Sequence, residues 1–430
     1  MSNNLEIIEE VVAGRYYAPE LGGPLPSPIR RLALERSLAG QERALVESVD
    51  LGRKLAVVAD ETTFEVLGRR VHEALPGAAL VVLDRPKAEE KTADQLQERV
   101  AGADGLIAVG SGTINDLCKY VTHRTQRHCA VFATAPSMDG YVTTTVSITR
   151  DQFKASLPAH APRGVFFDLE VLRHAPQRMI LSGFGDTICR STAQVDWLLS
   201  HLLLDTVYAE TPYRLMAEDE PLLYRAAAGI GKGEPDALLR LTRLLILSGL
   251  GVLVTNTSHC GSMGEHGISH YIDMLARPHP GTLHGQQVGV GTWTMGRLQA
   301  EMLASETPPQ LAPLAEDGDF DRRFGRFADS FRQAIARKPF DASGTARLNR
   351  RLADSWPEIR RRLLAVMLPV ADMKRAIEAA GMPYRGRDLG LDSAFYRQAV
   401  AHAHEIRDRY CFLDLAAQAG RLDAFAAEEE

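Results

Sequence analysis

The sequence predicts an N-terminal α/β domain built on a parallel sheet, residues 1–178, followed by an all-helical C-terminal domain, residues 179–430. Three observations lead there. The chain has 430 residues, more than one ordinary core accommodates. In its first third, short β-branched runs alternate with helical patterns, the signature of parallel strands joined by crossover helices. Beyond about residue 178 the segments become long, Leu/Ala/Arg-rich and helically periodic, and no convincing strand is seen.

Residues 1–50 read as a leading helical or irregular segment ahead of the first strand. The runs "KLAVVAD" (54–60), "AALVVLD" (78–84), "GLIAVG" (105–110) and "CAVFATA" (129–135) are four strands, with "GVFFDLE" (164–170) a fifth. Helical patterns such as "FEVLGRRVHEAL", "TADQLQERVAGA" and "SGTINDLCKYVTH" fill the gaps. No repeat of fixed period is present, and low complexity is confined to the acidic end.

Composition narrows the function. Hydrophobic residues make up 45% and charged residues 24%, as in a soluble globular protein. A net charge of −6 argues against a nucleic-acid binder. The N-terminus lacks the basic start and apolar run of a signal peptide. The most apolar stretch, "LLILSGLGVLV" (244–254), falls short of the ~20 residues a membrane span needs and is expected to be a buried helix. Five scattered cysteines without a C-x-x-C pair fit reduced thiols in the cytosol.

Two stretches carry chemistry. In "VGSGTINDLCKY", Gly110, Ser111 and Gly112 lie between a strand and a helix. Glycine lets a ligand approach the backbone there, and the helix start favours an anion such as a pyrophosphate. Asp60 and Asp84 each end a strand and either accept from a ribose diol or cap the next helix. In "GEHGISHYIDMLARPHPGTLHGQQVGVGT", His266 and His270 are spaced i, i+4 and share a helix face; such a pair is structural or metal-binding. His284 follows beside a glycine. Asp186, in "LSGFGDTICRSTAQVDW", is a candidate carboxylate ligand or a helix N-cap. An Asp with two His suits zinc, nickel or iron(II) with open positions.

The ordered motifs "GSGTINDLCKY", "ATAPSMDGY", "SGFGDTICRSTAQVDW", "GEHGISHYIDM", "LHGQQVGVGT" and "HEIRDRYCFLDLA" resemble the glycerol-1-phosphate dehydrogenases, especially their bacterial branch. That branch lies within the superfamily of metal-dependent alcohol dehydrogenases, glycerol dehydrogenases and dehydroquinate synthases. The resemblance runs from about residue 50 to about residue 422. It implies a Rossmann-like N-terminal domain, a helical C-terminal domain and an active site in the cleft between them.

The resemblance also assigns residues. One divalent metal is held by Asp186, His266 and His284, while His270 assists near the substrate or on a proton path. Gly110, Ser111, Gly112 and Thr113 hold the pyrophosphate of NAD(P)H, and Asp60 faces the adenine-side ribose. Asp116, Thr134 and Ser137 complete the cofactor set. Asp139 of "SMDGY" contacts substrate, and Lys154 stands where a basic residue lies near the substrate end. Asp60 repels a 2′-phosphate by like charge, so NADH is the expected cofactor. A homodimer is implied.

The reaction implied is reversible reduction of dihydroxyacetone phosphate to sn-glycerol 1-phosphate. One departure bears on it. The family commonly writes Arg-Pro-Ala-Ser-Gly ahead of its Glu-His, where this chain has "SHCGSMGEH" (258–266). That removes a permanent cation a phosphate would use. The rival readings are a dehydrogenase of another phosphorylated, phosphonate or unphosphorylated hydroxyketone or polyol, a dehydroquinate-synthase-like cyclase, and a non-catalytic binding protein that kept the fold.

Overall fold

The computed structural model describes residues 6–150 and 153–430, of which 153–155 are described as backbone alone. The chain forms two compact units, one of residues 1–187 with 210–257, the other of 188–209 with 258–430. These units do not follow a single cut at 178/179. The helices of 210–257 belong with the sheet, and the chain enters the second unit at Ile188.

The first unit is organised by a six-stranded sheet, parallel throughout. Its spatial order is Arg31–Glu35, Gly164–Asp168, His128–Ala133, Gly105–Gly110, Leu55–Asp60, Ala79–Leu83. All five expected strands are present, shifted by a residue or two. Every residue of Gly105–Gly110 is buried, as both faces of a helix-covered parallel sheet must be. Val57, Ala59, Ile107, Val109, Phe132 and Phe166 pack on one side with Leu38, Leu45, Val46, Leu67 and Val71. Each such side chain contributes about 1.5–3 kcal/mol on burial.

Two strand features depart from expectation. Arg31–Glu35, inside the segment read as helical or irregular, is an edge strand in register with Gly164–Asp168. An antiparallel hairpin, Thr145–Arg150 with Phe153–Pro158, also stands outside the sheet.

The order of strands places a ligand crevice. From Leu55–Asp60 the chain moves outward to Ala79–Leu83, then returns past it to Gly105–Gly110. From Gly105–Gly110 the chain continues away from Leu55–Asp60 to His128–Ala133, so the connections leaving Leu55–Asp60 and Gly105–Gly110 run in opposite directions. Such a switch point opens a crevice at the carboxyl ends of the strands, which here are Asp60 and Gly110.

The apolar stretch at 244–254 belongs to a longer helix than expected, Pro235–Thr255, of 21 residues. By length and hydropathy alone it is long enough to cross a membrane, yet 83% of its most apolar window is buried inside the protein.

Among its described residues the second unit has helices and connecting loops but no strand. Its main helices are Arg190–Leu204, Gly264–Leu275, His284–Ala304 and Ala342–Val366, and Trp197, Trp356 and Tyr396 are buried in it.

Candidate active-site residues

In the second unit, close helix packing brings the histidines together. A Cβ on Gly291 would lie 2.7 Å from the Glu265 carbonyl oxygen. Only glycine lets His284–Ala304 approach Gly264–Leu275 so closely. His266 and His284 consequently face one another with ring centroids 5.0 Å apart, and His270 is 6.2 Å from each.

Each metal-ligand candidate is held by its neighbours. Nδ1 of His266 lies 2.9 Å from Oε1 of Glu265. Oε1 of Glu265 also accepts from the Met263 N–H at 2.7 Å, and Oε2 accepts from the Thr192 hydroxyl at 3.2 Å. Burial pushes the Glu265 carboxyl up, but the His266 hydrogen bond and charge and the backbone donors outweigh it, so the group sits below its ordinary value. Nδ1 of His284 is 3.2 Å from the Ser269 hydroxyl, which donates to Oε1 of Gln287 at 2.8 Å. Nε2 of Gln287 in turn donates to Asp273 at 2.9 Å.

Sequence reading found His266 but missed three of its neighbours: Cys189, Glu265 and Asp196. Cys189, Glu265 and His266 offer ligand atoms within 4.8 Å of one another, all buried. Asp196 is buried beneath them and accepts from the Gly264 N–H at 3.0 Å. Burial and then the Glu265 charge push the Asp196 carboxyl up to about 8.

In the first unit, the glycine turn takes the expected form. Ser111 is the N-cap of helix Gly112–Arg124 but makes no side-chain cap to its first-turn N–H groups. Met138 closes over the turn, with its sulfur 3.1 Å from where a Cβ would stand on Gly112. The Thr134 N–H donates to the Gly110 carbonyl at 3.1 Å. Asp60 does what the capping alternative held, since Oδ1 accepts from the Thr63 N–H at 2.7 Å.

Asp116, assigned to the cofactor set, lies in helix Gly112–Arg124. It is buried, and its carboxylate accepts from the Ser147 N–H and the Asn115 amide, each at 2.9 Å. It ties the helix to the hairpin.

The "SMDGY" loop rests on two helices through glycines. A Cβ on Gly183 would lie 1.8 Å from the Pro136 carbonyl oxygen, and one on Gly249 would lie 2.4 Å from that of Asp139. Oδ2 of Asp139 accepts from the Ser248 hydroxyl at 2.5 Å, and the carbonyl of Ser137 accepts from the Ser182 hydroxyl at 3.2 Å. The Asp139 N–H donates to Oδ2 of Asp186 at 3.0 Å. Asp186 is buried near the end of helix Gln177–Ile188, so it is no N-cap.

Lys119, which sequence reading passed over, is buried and donates to the carbonyls of Gly140 and Thr145, both at 2.8 Å. Burial lowers its pKa to about 8. The backbone of Lys154 pairs with Thr149 in the hairpin; its side chain lies outside the described ones.

The sequence profile of the iron-containing alcohol dehydrogenases matches residues 33–176. A relative from Halalkalibacterium halodurans named glycerol-1-phosphate dehydrogenase, NAD(P)+, is 29% identical over 374 residues, covering 84% of this chain and 85% of its own. One of the same name from Methanothermobacter thermautotrophicus is 33% identical over 245 residues, covering 56% of this chain and 70% of its own. The chain belongs to the glycerol-1-phosphate dehydrogenase family. A crystal structure of a probable glycerol dehydrogenase from Sinorhizobium meliloti 1021 superposes with a TM-score of 0.61 at 18% identity, covering 93% of this chain and 98% of that one. This glycerol-1-phosphate dehydrogenase family member is thus an oxidoreductase with the fold the motifs implied.

Proposed function

We propose that the protein reduces dihydroxyacetone phosphate to sn-glycerol 1-phosphate, with NADH as the preferred cofactor and one divalent ion held by Asp186, His266 and His284. The observation that carries the reading is the paired histidines, their rings 5.0 Å apart, in a chain whose relatives bear the name glycerol-1-phosphate dehydrogenase, NAD(P)+.

The residues fit an ion of the zinc, nickel or iron(II) type. Glu265 holds Nδ1 of His266 and Ser269 holds Nδ1 of His284, which makes Nε2 the coordinating atom on each ring. Such second partners fix tautomer and ring orientation. When bound, the ion supplies Lewis-acid polarisation of a carbonyl oxygen, and the reduced nicotinamide supplies hydride.

The chain's own residues do the rest. The N–H groups at the start of helix Gly112–Arg124, with Gly110, Ser111 and Thr113 around them, receive the pyrophosphate. Asp60 receives the adenine-side ribose, and Thr134 and Ser137 border the cofactor. Asp139 orients the substrate-side loop. His270 delivers a proton to the product oxygen, and Lys154 adds positive charge for the phosphate. Asp116, in the first turns of helix Gly112–Arg124, completes the cofactor set.

Initial rates of NAD(P)H oxidation with metal-reconstituted protein test the reaction. Dihydroxyacetone phosphate should be reduced far more efficiently than dihydroxyacetone. Equal efficiency would transfer the assignment to a polyol dehydrogenase. Activity on a different phosphorylated or phosphonate carbonyl alone would keep the chemistry and replace the substrate.

A further inference from the structure

The segment that departs from the family pattern, Ser258–Met263, leads directly into the helix that carries His266. Its one basic residue is His259. Burial, then the charges of Arg409 and Arg407, push His259 down to about 3, so it is neutral at pH 7 and brings no cation to the site.

Three arginines converge on this segment from elsewhere in the same unit. Nη1 of Arg190 donates to the Cys260 carbonyl at 2.6 Å. Nη1 of Arg407 donates to the Ser262 hydroxyl at 3.2 Å and lies 3.4 Å from the Met263 carbonyl and 3.5 Å from that of Ser262. Arg409 donates through Nη1 to the Ser262 carbonyl and through Nη2 to the Ser258 hydroxyl, the latter at 2.9 Å.

Arg407 uses one nitrogen for all these contacts. Its Nε and Nη2, the two donors on the other edge of the guanidinium, meet no acceptor among the described residues. Among those residues neither Arg407 nor Arg409 forms an ion pair, although both are half-buried. Elsewhere the protein pairs its arginines freely: Arg332 alone meets Glu316, Asp321 and Asp329. The carboxylates that act on Arg407, Glu265 and Asp408, are committed to His266 and Arg337. Two half-buried like charges without a counterion are costly, and an anion offsets that cost.

We infer that the Nε–Nη2 edge of Arg407, with Arg409 beside it, holds the dianionic phosphoryl end of the substrate. A guanidinium edge matches two oxygens of a phosphoryl group in parallel hydrogen bonds, which a lysine cannot reproduce. The anchor stands at the same end of helix Gly264–Leu275 as His266. The inference rests on the reaction proposed above.

The test measures kcat/KM for dihydroxyacetone phosphate and for dihydroxyacetone in the metal-loaded wild type, Arg407→Gln and Arg407→Lys. Because Arg407 also steadies the 258–263 segment, both substrates will lose some rate in the variants. The ratio of the two efficiencies isolates the anchor. It should fall roughly a hundredfold in Arg407→Gln, two charge-assisted contacts being lost, mainly through KM for the phosphorylated ketone. It should fall by about tenfold in Arg407→Lys, which keeps the charge and loses the fork. Inorganic phosphate should inhibit the wild type competitively and the variants more weakly. If Arg407→Gln does not fold, Arg407→Lys carries the comparison. An unchanged ratio in the variants overturns the anchor and leaves the proposed reaction standing. No preference for the phosphorylated ketone in the wild type overturns both.

Discussion

Nδ1 of His266 lies 2.9 Å from Oε1 of Glu265, its immediate neighbour in the chain, and Glu265 is completely buried. The carboxylate fixes the ring, and in the proposed metal site Nε2 is the nitrogen that would coordinate the ion. Glu265→Gln keeps an acceptor for both His266 and the Met263 N–H but removes the charge. It should leave the fold intact and weaken metal affinity by about 10- to 100-fold. Competition against a chelator of known affinity measures this, and an affinity equal to wild type would show that Glu265 serves packing alone.

The three histidine rings should separate by role. His284→Ala should lose the ion and turnover together. His270→Ala should retain the ion and lose rate, since its proposed task is proton delivery. Elemental analysis of the two purified variants decides between them. A metal-free His270→Ala would mean that the two helix histidines have exchanged functions.

The proposed preference for NADH rests on Asp60. One carboxylate oxygen caps the following helix at Thr63, so removing the side chain outright would mix stability with specificity. Serine is also a good N-cap, and Asp60→Ser should therefore keep the melting temperature close to wild type. It should narrow the preference for NADH over NADPH by relieving the repulsion of a 2′-phosphate. Equal wild-type efficiency with both cofactors would place Asp60 away from the ribose.

The sheet was legible wherever burial was two-sided. Gly105–Gly110 and Leu55–Asp60 are continuous apolar runs because helices cover both faces. Arg31–Glu35 escaped notice because an edge strand leaves one rim open, and its charged ends match a loop as well as a strand. The return of residues 210–257 to the first unit was hidden for another reason. An apolar helix face announces burial without naming the core that receives it. At the candidate site, His266 and His270 stood out by spacing and His284 by type, while the choice of His266 and His284 as ligands came from the family resemblance. Glu265 did not, since a glutamate in a first helical turn ordinarily complements the helix dipole in solvent. Only the fold shows it buried against His266. The two readings of Asp60, cap and ribose acceptor, turn out to be compatible, because a carboxylate has two oxygens.

The "SMDGY" loop offers a stability test. Gly183→Ala would put a methyl 1.8 Å from the Pro136 carbonyl oxygen. Backbone must shift to admit it, at a cost of about 1–3 kcal/mol, and activity should fall because Asp139 moves with the loop. Gly318→Ala, where a Cβ meets nothing within 4 Å, is the matched control and should be near neutral. Thermal denaturation of both variants provides the comparison, and an undisturbed Gly183→Ala would show the loop to be more loosely seated than its packing implies.

The most direct test of the central claim is the rate of NADH oxidation with dihydroxyacetone phosphate before chelation, after complete metal removal, and after one equivalent of zinc, nickel or iron(II) is returned. The account predicts near-complete loss on removal and recovery with a single equivalent of at least one of these ions, with Asp186→Ala and His266→Ala failing to recover. Full activity in verified metal-free protein would contradict it.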